Sequence, residues 1–277
     1  MTRPNQPFEL IQPKTKKIPF VLSIPHCGIQ FPPELKNNFE SHLIEAPDDT
    51  DWFLEILYDF AEEMGITVIK AIYSRWVIDL NRTPENQSLY NDGRIITSLC
   101  PTTTFFGEKL YKNQALQPDK QEVERRLKQY YWPYHNKIDE LLQSCKEEFG
   151  EVLFWDAHSI RRNVETIQKE DFPDLILGND DLKTAGTTFI DKAIQTLGSE
   201  SFELKHNTPF KGGYITRSKG KPNENIHALQ LEMCKDLYMS NNETSYDPKK
   251  AERIKKLLKS TFAVSYTHLR AHETLDH

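Results

Sequence analysis

Two stretches of the chain decide its predicted fold: IPFVLSIPHCG at residues 18–28 and EVLFWDAHSI at residues 151–160. Each contains a short apolar run, which predicts a buried β-strand, and each ends in polar residues. Between them, apolar residues at helical spacing occupy 52–65, and a strand-like run follows at 66–74. This alternation predicts a single α/β domain whose mostly parallel, mixed central sheet is covered by helices on both faces.

The same alternation continues along the rest of the chain. The further predicted strands are 77–82, 175–178 and 226–233, and the further predicted helices are 120–149, 184–198 and 247–265. Pro133 predicts a kink in the first of these helices. The first 17 residues are polar and contain proline, so we expect a loose lead-in there. One domain is expected over residues 1–263.

The last residues of the chain, 264–277, differ in character from the basic amphipathic helix before them. The stretch YTHLRAHETLDH resembles translated adapter sequence at the ends of gene predictions, and we interpret it as a non-native tail. His268, His272 and His277 are therefore excluded as ligand candidates.

Charge and composition limit the partners of this chain. Its net charge is −6, whereas nucleic acids and anionic membranes reward a concentrated positive surface. No apolar run approaches the ~20 residues that span a bilayer, and the basic start lacks the apolar region of a signal peptide. Four scattered cysteines without CxxC pairing predict reduced thiols in a cytoplasmic protein. A small acidic molecule remains compatible as a partner, and oligomeric state is not encoded in these features.

Two histidines follow predicted strands and form a candidate metal site. His26 comes after a strand that ends at Pro25, and Gly28 permits a tight turn beside it. His158 lies near the end of WDAHS. Because the carboxyl ends of parallel strands meet at one edge of a sheet, both imidazoles are expected to converge there.

A catalytic zinc usually has three protein ligands and one open position. The motif DDTDW offers Asp48, Asp49 and Asp51 before a predicted helix, where an aspartate could instead cap the helix. We favour Asp51 as the third ligand and Asp49 as its support, with Asp49 as the alternative ligand. Asp156 shares a strand face with His158, so it could orient that ring, bind substrate or stabilise backbone.

Glu232, in HALQLEM, is the candidate general base. A carboxylate in an apolar strand is costly to bury without a partner or a function, and Gln230 shares its strand face. The alternative is a structural ion pair. As a base, Glu232 would accept a proton from a metal-activated water and return it to the leaving amine.

Arginine suits bidentate recognition of carboxylates. The candidates for binding an acidic substrate are Arg75 and Arg82, which flank the predicted strand 77–82, with Asn81 beside them. Arg161, next to His158, and Arg217, after the paired glycines of FKGGYI, are further candidates.

Eight segments together resemble the N-formylglutamate amidohydrolase family. They occur in family order from about residue 19 to 240 and cover most of the chain: IPHCG with FPPEL, DTDW, YSRWVIDLNR, LCPTTTFFGEKLY, YYWPYHNKI, WDAHSI, FKGGYITR and HALQLEM. The resemblance implies hydrolysis of N-formyl-L-glutamate to formate and L-glutamate, a late step of histidine degradation.

The resemblance also implies a phosphorylase/hydrolase-like, zinc carboxypeptidase-like fold and a Zn²⁺ ion or another divalent transition metal. In that wider group a glutamate acts as the base, and Glu232 matches it. An Asn–Arg pair binds the substrate carboxylate there, and Asn81 and Arg82 match that pair. Cys27 departs from the smaller residue usual in the family, so its thiol could become a ligand or an oxidation site. Two alternatives stay open: a metal-dependent hydrolase of another N-acyl amino acid or peptide terminus, and a non-catalytic acidic-ligand-binding protein.

Overall fold

A computed structural model describes residues 6–87 and 97–273 and contains one seven-stranded mixed sheet. In chain order the strands are β1 (Phe8–Ile11), β2 (Phe20–Ile24), β3 (Thr67–Ala71), β4 (Val152–Ile160), β5 (Leu175–Gly178), β6 (Leu204–His206) and β7 (Ile226–Cys234). Across the sheet they are ordered β1-β3-β2-β4-β7-β5-β6. The predicted α/β fold class and its mixed central sheet are confirmed.

The middle of the sheet is parallel and its flanks are mixed. Strands β3, β2, β4 and β7 pair in parallel, whereas β1 runs antiparallel to β3 and β5 runs antiparallel to β7. All nine residues of β4 are buried, as expected for a strand covered on both faces. The carboxyl ends of β2 and β4 therefore point to the same edge.

The helices flank this sheet. Their bounds are α1 (Pro33–Lys36), α2 (Ser41–Ile44), α3 (Leu54–Leu57), α4 (Lys120–Arg126), α5 (Trp132–Phe149), α6 (Thr187–Leu197), α7 (Tyr214–Lys219) and α8 (Pro248–Glu273). Short 3-10 helices cover Asp59–Met64, Gln114–Leu116, Pro222–Glu224 and Lys235–Leu237. Helices α5, α6 and α8 confirm three predicted helices, although α8 extends further.

The predicted helix 120–149 contains a π-helical segment. Leu127–Tyr131 forms a π turn that joins α4 to α5, and Pro133 stands in the first turn of α5. Proline lacks a backbone N–H, which the first helical turn does not need. The irregularity expected at Pro133 therefore takes the form of a π segment just before it.

Three local expectations were wrong. Residues 8–11 of the supposed lead-in form β1, because Phe8 is buried and pairs with Ala71 at the edge of the sheet. The predicted helix 52–65 splits into α3 and a 3-10 helix, and Phe53 before α3 has a left-handed φ of 63°. Two residues earlier, Asp51 donates a backbone hydrogen bond to the carbonyl of His26 over 3.0 Å, which holds this segment at the sheet edge and delays the helix.

Residues 77–82 form turns rather than the predicted strand. The amide of Val77 donates to the carbonyl of Ser74, and the amide of Asp79 donates to the carbonyl of Leu99. This segment turns the carboxylate of Asp79 inward, where it is fully buried. The side chain of Asp79 therefore lies in the protein interior and not on the face of a strand.

Two apolar layers form the core on either side of the sheet. On one face, Phe20 and Trp155 pack with Phe262 of α8. On the other face, Phe154 and Tyr134 of α5 belong to the second layer. The described part of the supposed tail continues α8 as far as Glu273, and residues 274–277 lie outside the described residues.

Within residues 6–87 and 97–273, no helix combines the length and apolar character needed to cross a membrane. All four cysteines are buried and carry free thiols. Cys27 donates to the carbonyl of Ile24 over 3.3 Å, and burial raises the pKa of its thiol.

Candidate metal centre and substrate cavity

Three buried side chains, His26, Asp51 and His158, meet at the carboxyl edge of the sheet. One ligand atom from each lies within 4.8 Å of the others, so the group could hold a metal ion. Oδ2 of Asp51 is 3.3 Å from Nδ1 of His158 and 3.8 Å from Nδ1 of His26. The structure thus brings together the three residues predicted as ligands.

Sheet geometry places these side chains. His26 follows β2 in a turn where Gly28 packs tightly, since a Cβ there would lie 2.3 Å from the carbonyl oxygen of Tyr73. His158 lies inside β4, two residues before the strand ends, and its register partner on β7 is Glu232. Because β2 and β4 are parallel neighbours, both histidines reach the same edge.

The donor set fits a divalent cation. Nε2 of His26 lies 2.8 Å from Asp79 and Nε2 of His158 lies 3.2 Å from Asp156, so each ring presents Nδ1 to Asp51. Among the described residues, the buried Oδ2 of Asp51 has no hydrogen-bond donor in bonding geometry. A buried carboxylate oxygen without a donor is costly, and a cation between it and two imidazole nitrogens would compensate it.

The two histidines differ in their electrostatic surroundings. Burial, together with Arg75, lowers the pKa of His26 to about 4, so its ring is neutral near pH 7. Burial alone would lower the pKa of His158, but Asp156 and Asp51 raise it well above its ordinary value. A proton on Nδ1 of His158 and a cation bound to that nitrogen are therefore mutually exclusive.

Asp79 is a site residue that the sequence analysis missed. Its Oδ1 faces His26, its Oδ2 accepts from Arg75 over 2.6 Å, and the backbone amide of Asn81 donates to Oδ1 over 2.9 Å. Burial would raise the pKa of Asp79, but Arg75 and Arg82 hold it well below its ordinary value. The available signal was a carboxylate inside the apolar run VIDL.

The other two aspartates of DDTDW hold loops in place. Asp49 accepts from Nε1 of Trp76 over 2.8 Å and from the amide of Phe105 over 3.2 Å, and the Asp48 carboxylate pairs with Arg161. Helix α3 has no side-chain cap. Of the three, only Asp51 joins the group that could bind a metal, and Asp49 supports the surrounding loops.

A cavity opens beside this group. The residues that line it include both histidines and Asp51, and the others are Arg75, Asn81, Arg82, Phe105, Ser159, Ile160, Ile167, Phe210, Gly213, Gln230 and Glu232. Arginines, carboxamides and a carboxylate thus share one cavity with the candidate ligands.

Glu232 faces this cavity from β7. Burial is the main reason that the pKa of Glu232 is raised to about 8, so the group can carry a proton near neutral pH. Within the described ranges no ion pair involves Glu232. This favours the predicted chemical role over the alternative of a structural ion pair.

The predicted substrate-binding residues divide into two groups. Arg75, Asn81 and Arg82 line the cavity. Arg161 and Arg217 do not line it: Arg161 pairs with Asp48 and Glu243, and Arg217 pairs with Asp180.

Ion pairs beside the cavity hold the guanidinium groups of Arg161 and Arg217, and their assignment to substrate binding stays a prediction. Oδ2 of Asp156 lies 3.2 Å from Nε2 of His158. This contact supports the first of the three roles predicted for Asp156, which is to orient that ring. The thiol of Cys27 is not among the grouped ligand atoms, which corrects the possibility that it joins the metal site.

Fold and site together define an α/β protein with a buried candidate metal centre in a cavity rich in arginine. Comparison with known proteins then assigns its family. The family profile "N-formylglutamate amidohydrolase" matches residues 18–239. The chain belongs to the N-formylglutamate amidohydrolase family.

Individual relatives agree with this assignment. The chain is 37% identical over 229 residues to an N-formylglutamate deformylase of Pseudomonas putida, covering 82% of this chain and 84% of the relative. It is 38% identical over 240 residues to an N-formylglutamate deformylase of Pseudomonas aeruginosa, covering 83% and 86%. Its fold is similar to that of the N-formylglutamate amidohydrolase of Ralstonia eutropha JMP134, with a TM-score of 0.76 at 23% identity, covering 96% of this chain and 98% of that one.

Proposed function

We propose that the chain hydrolyses the formamide C–N bond of N-formyl-L-glutamate, releasing formate and L-glutamate. The observation that carries this proposal is Oδ2 of Asp51, which has no hydrogen-bond donor in bonding geometry among the described residues and faces Nδ1 of both His26 and His158 in a cavity that also contains Glu232 and arginines. The names of the two Pseudomonas relatives support the choice of substrate.

We assign Zn²⁺ as the cation that His26, Asp51 and His158 would hold. Nitrogen and carboxylate ligands suit zinc, although another divalent transition metal would accept the same donors. When bound, the ion would supply Lewis-acid activation of a water molecule and of the formyl carbonyl.

Glu232 is assigned as the proton carrier. Its carboxylate would take the proton from the attacking water and deliver it to the nitrogen of the departing glutamate. The raised pKa of about 8 suits both directions of transfer near neutral pH. Its register pairing with His158 keeps the carboxylate beside the candidate ligands.

Substrate recognition is assigned to Arg82 and Arg75, with Asn81 beside them. Arginine binds carboxylates through charge-assisted hydrogen bonds. Arg75 is already paired with Asp79 and lies 4.8 Å from the ring centroid of Phe105, so its position is fixed before substrate arrives. Arg82 also contacts the carbonyl of Thr97 over 3.0 Å.

We further propose that the reaction serves histidine degradation in the cytoplasm and that residues 264–277 are a non-native tail. The support for the pathway is the family relationship. The support for the tail is that its sequence differs in character from the start of α8.

The decisive experiment is hydrolysis of N-formyl-L-glutamate by purified protein, followed as formate release, in chelator and after addition of zinc. We expect turnover only with zinc. No turnover in either condition would overturn the assignment. A panel of N-acetyl amino acids would reveal a different acyl preference, and binding of the substrate without turnover would indicate a non-catalytic binding protein.

A further inference from the structure

Two carboxamides hold the paired-glycine loop and the first turn of α7 against the cavity. The backbone amide of Gly213 donates to Oε1 of Gln230 over 2.7 Å, and the backbone amide of Ile215 donates to Oδ1 of Asn81 over 2.9 Å. A backbone N–H can only donate, so both side-chain oxygens must face the loop. The NH₂ groups of both residues are therefore turned away from those two backbone amides.

Packing leaves these amides little freedom to turn. A Cβ on Gly213 would lie 2.2 Å from Nδ2 of Asn81, and a Cβ on Gly178 would lie 2.7 Å from the backbone nitrogen of Gly212. The loop thus contacts both the carboxamide of Asn81 and the end of β5. The paired glycines permit this close approach, and the orientation of the Gln230 amide follows from it.

The NH₂ group of Gln230 has no acceptor in the part of the chain that the structure describes. Gln230 is only 4% exposed, and it lines the cavity. A bound acceptor in the cavity would therefore give this amide a partner that the described residues do not supply. The Nε2 atom of Gln230 is thus a pre-oriented donor in a cavity assigned to an acidic substrate.

The order of the strands places this donor on the far side of the candidate metal centre from Arg75. Arg75 follows β3, and Gln230 belongs to β7. Between these two strands lie β2, which His26 follows, and β4, which contains His158. Across the sheet, donors therefore lie on both sides of the two histidines. A substrate with two carboxylates can use both sides at once, which a monocarboxylate cannot.

We propose that Gln230 is a specificity-determining residue, whose Nε2 donates a hydrogen bond to the side-chain carboxylate of the substrate. The inference rests on the proposed function, because it takes an N-formyl amino acid as the substrate. Gln230 recognises the side chain, while Arg82 and Arg75 bind the α-carboxylate. Neither proton transfer nor metal binding depends on it.

The test compares Gln230→Met with the wild type on two substrates, N-formyl-L-glutamate and N-formyl-L-norvaline, which has a side chain of similar length but no carboxylate. Loss of one hydrogen bond to a charged group should lower kcat/KM for N-formylglutamate by about 10- to 100-fold and leave N-formylnorvaline within about threefold. Gln143→Met, at an exposed position of α5, is the matched control and should change neither value.

Equal losses on both substrates would overturn the proposal, because they would mean that Gln230 only positions the loop. Unchanged kinetics on both would also overturn it. Gln230→Glu keeps the acceptor for Gly213 and replaces the donor with a second oxygen. It should reverse the preference toward N-formyl-L-glutamine, and this gain of activity requires a folded protein.

Calorimetric titration of zinc-loaded protein with L-glutamate and L-norvaline separates this proposal from the proposed function. If the wild type hydrolyses neither formyl compound, the proposed function fails. Gln230→Met should still weaken binding of L-glutamate by about 10-fold or more relative to L-norvaline. Equal binding of L-glutamate by variant and wild type would overturn the role of Gln230 independently of catalysis.

Discussion

Asp79 joins a candidate metal ligand to a candidate substrate-binding group, because its two oxygens lie 2.8 Å from Nε2 of His26 and 2.6 Å from Arg75. Since an ionised carboxylate only accepts hydrogen bonds, Nε2 of His26 carries the proton and Nδ1 keeps its lone pair. One buried carboxylate therefore sets the tautomer of the histidine and the position of the guanidinium.

Replacing Asp79 with asparagine should weaken zinc binding by about 10- to 100-fold, because the amide no longer enforces the ring orientation that the metal needs. The measurement is competition with a chromophoric chelator. Asp171→Asn, at an exposed position, is the control. Equal affinities for zinc in Asp79→Asn and wild type would contradict this role.

Replacing Asp51 with alanine should abolish stabilisation by zinc. At a free zinc concentration near 100 times its Kd, binding adds about 2.7 kcal/mol to the free energy of unfolding. The wild type should show this increase and lose it in chelator, whereas the variant should unfold identically in both conditions. Denaturant titration measures the difference, and a zinc-dependent increase in the variant would exclude Asp51 as a ligand.

Replacing Glu232 with glutamine should lower kcat by about 10²- to 10⁴-fold, since general acid–base catalysis contributes factors of that size. Zinc content should remain equal to that of the wild type. Steady-state formate release and metal analysis of the same preparation provide both values. Loss of zinc together with activity would instead assign Glu232 to the metal site.

Alanine variants of Arg82 and Arg217 provide a matched test and control for binding of the substrate carboxylate. Arg82→Ala should lower kcat/KM for N-formylglutamate by on the order of 10- to 100-fold, mainly through KM, because a charge-assisted contact is lost. Arg217→Ala should have a much smaller effect, because Arg217 pairs with Asp180 and does not line the cavity. Similar activity of Arg82→Ala and wild type would remove Arg82 from the site.

His135 should make stability depend on pH. Burial, together with Lys219, lowers its pKa to about 3, and its ring contacts the carbonyl of Leu80 over 2.9 Å. The unfolded chain takes up the proton below its ordinary pKa and the folded chain does not, so stability is complete above about pH 6.5 and falls as pH decreases toward 3.

Between pH 7.5 and 5.5 this residue alone should account for a loss of about 1.4 kcal/mol in the free energy of unfolding. The His135→Gln variant, whose amide can still donate to the carbonyl of Leu80, should keep about 1.4 kcal/mol more of its free energy of unfolding over that pH range than the wild type does. Urea titrations in chelator, with metal absent from both proteins, provide the comparison. Parallel pH profiles would contradict the assignment.

The central strands were predictable because their apolar runs satisfy burial on both faces of a sheet. β2, β4, β5 and β7 have this pattern. β1 does not, because its four residues become a strand only by pairing with β3. The segment 77–82 was mistaken for a strand, since an alternating pattern cannot reveal that tertiary contacts turn Asp79 inward.

The candidate ligands were predictable from the positions of His26, His158 and DDTDW at strand and helix ends. The supporting contacts were not, because they join residues that are distant along the chain, such as Asp79 with His26. Sequence position near His158 also suggested Arg161, but its ion pair with Asp48 places it beside the cavity. Position at a strand or helix end therefore predicted the centre of the site better than proximity along the chain predicted its periphery.

The pairing of β4 with β7 constrains how such a protein can diverge. Nine consecutive residue pairs, from Val152 with Ile226 to Ile160 with Cys234, form one uninterrupted ladder. An insertion or deletion of one residue in either strand would turn the side chains beyond it to the opposite face. Divergence of this chain is therefore expected to proceed by substitutions within the ladder and by length changes in loops such as the one before α7, because the insertion or deletion of one residue in the ladder before His158 or Glu232 would separate these two side chains.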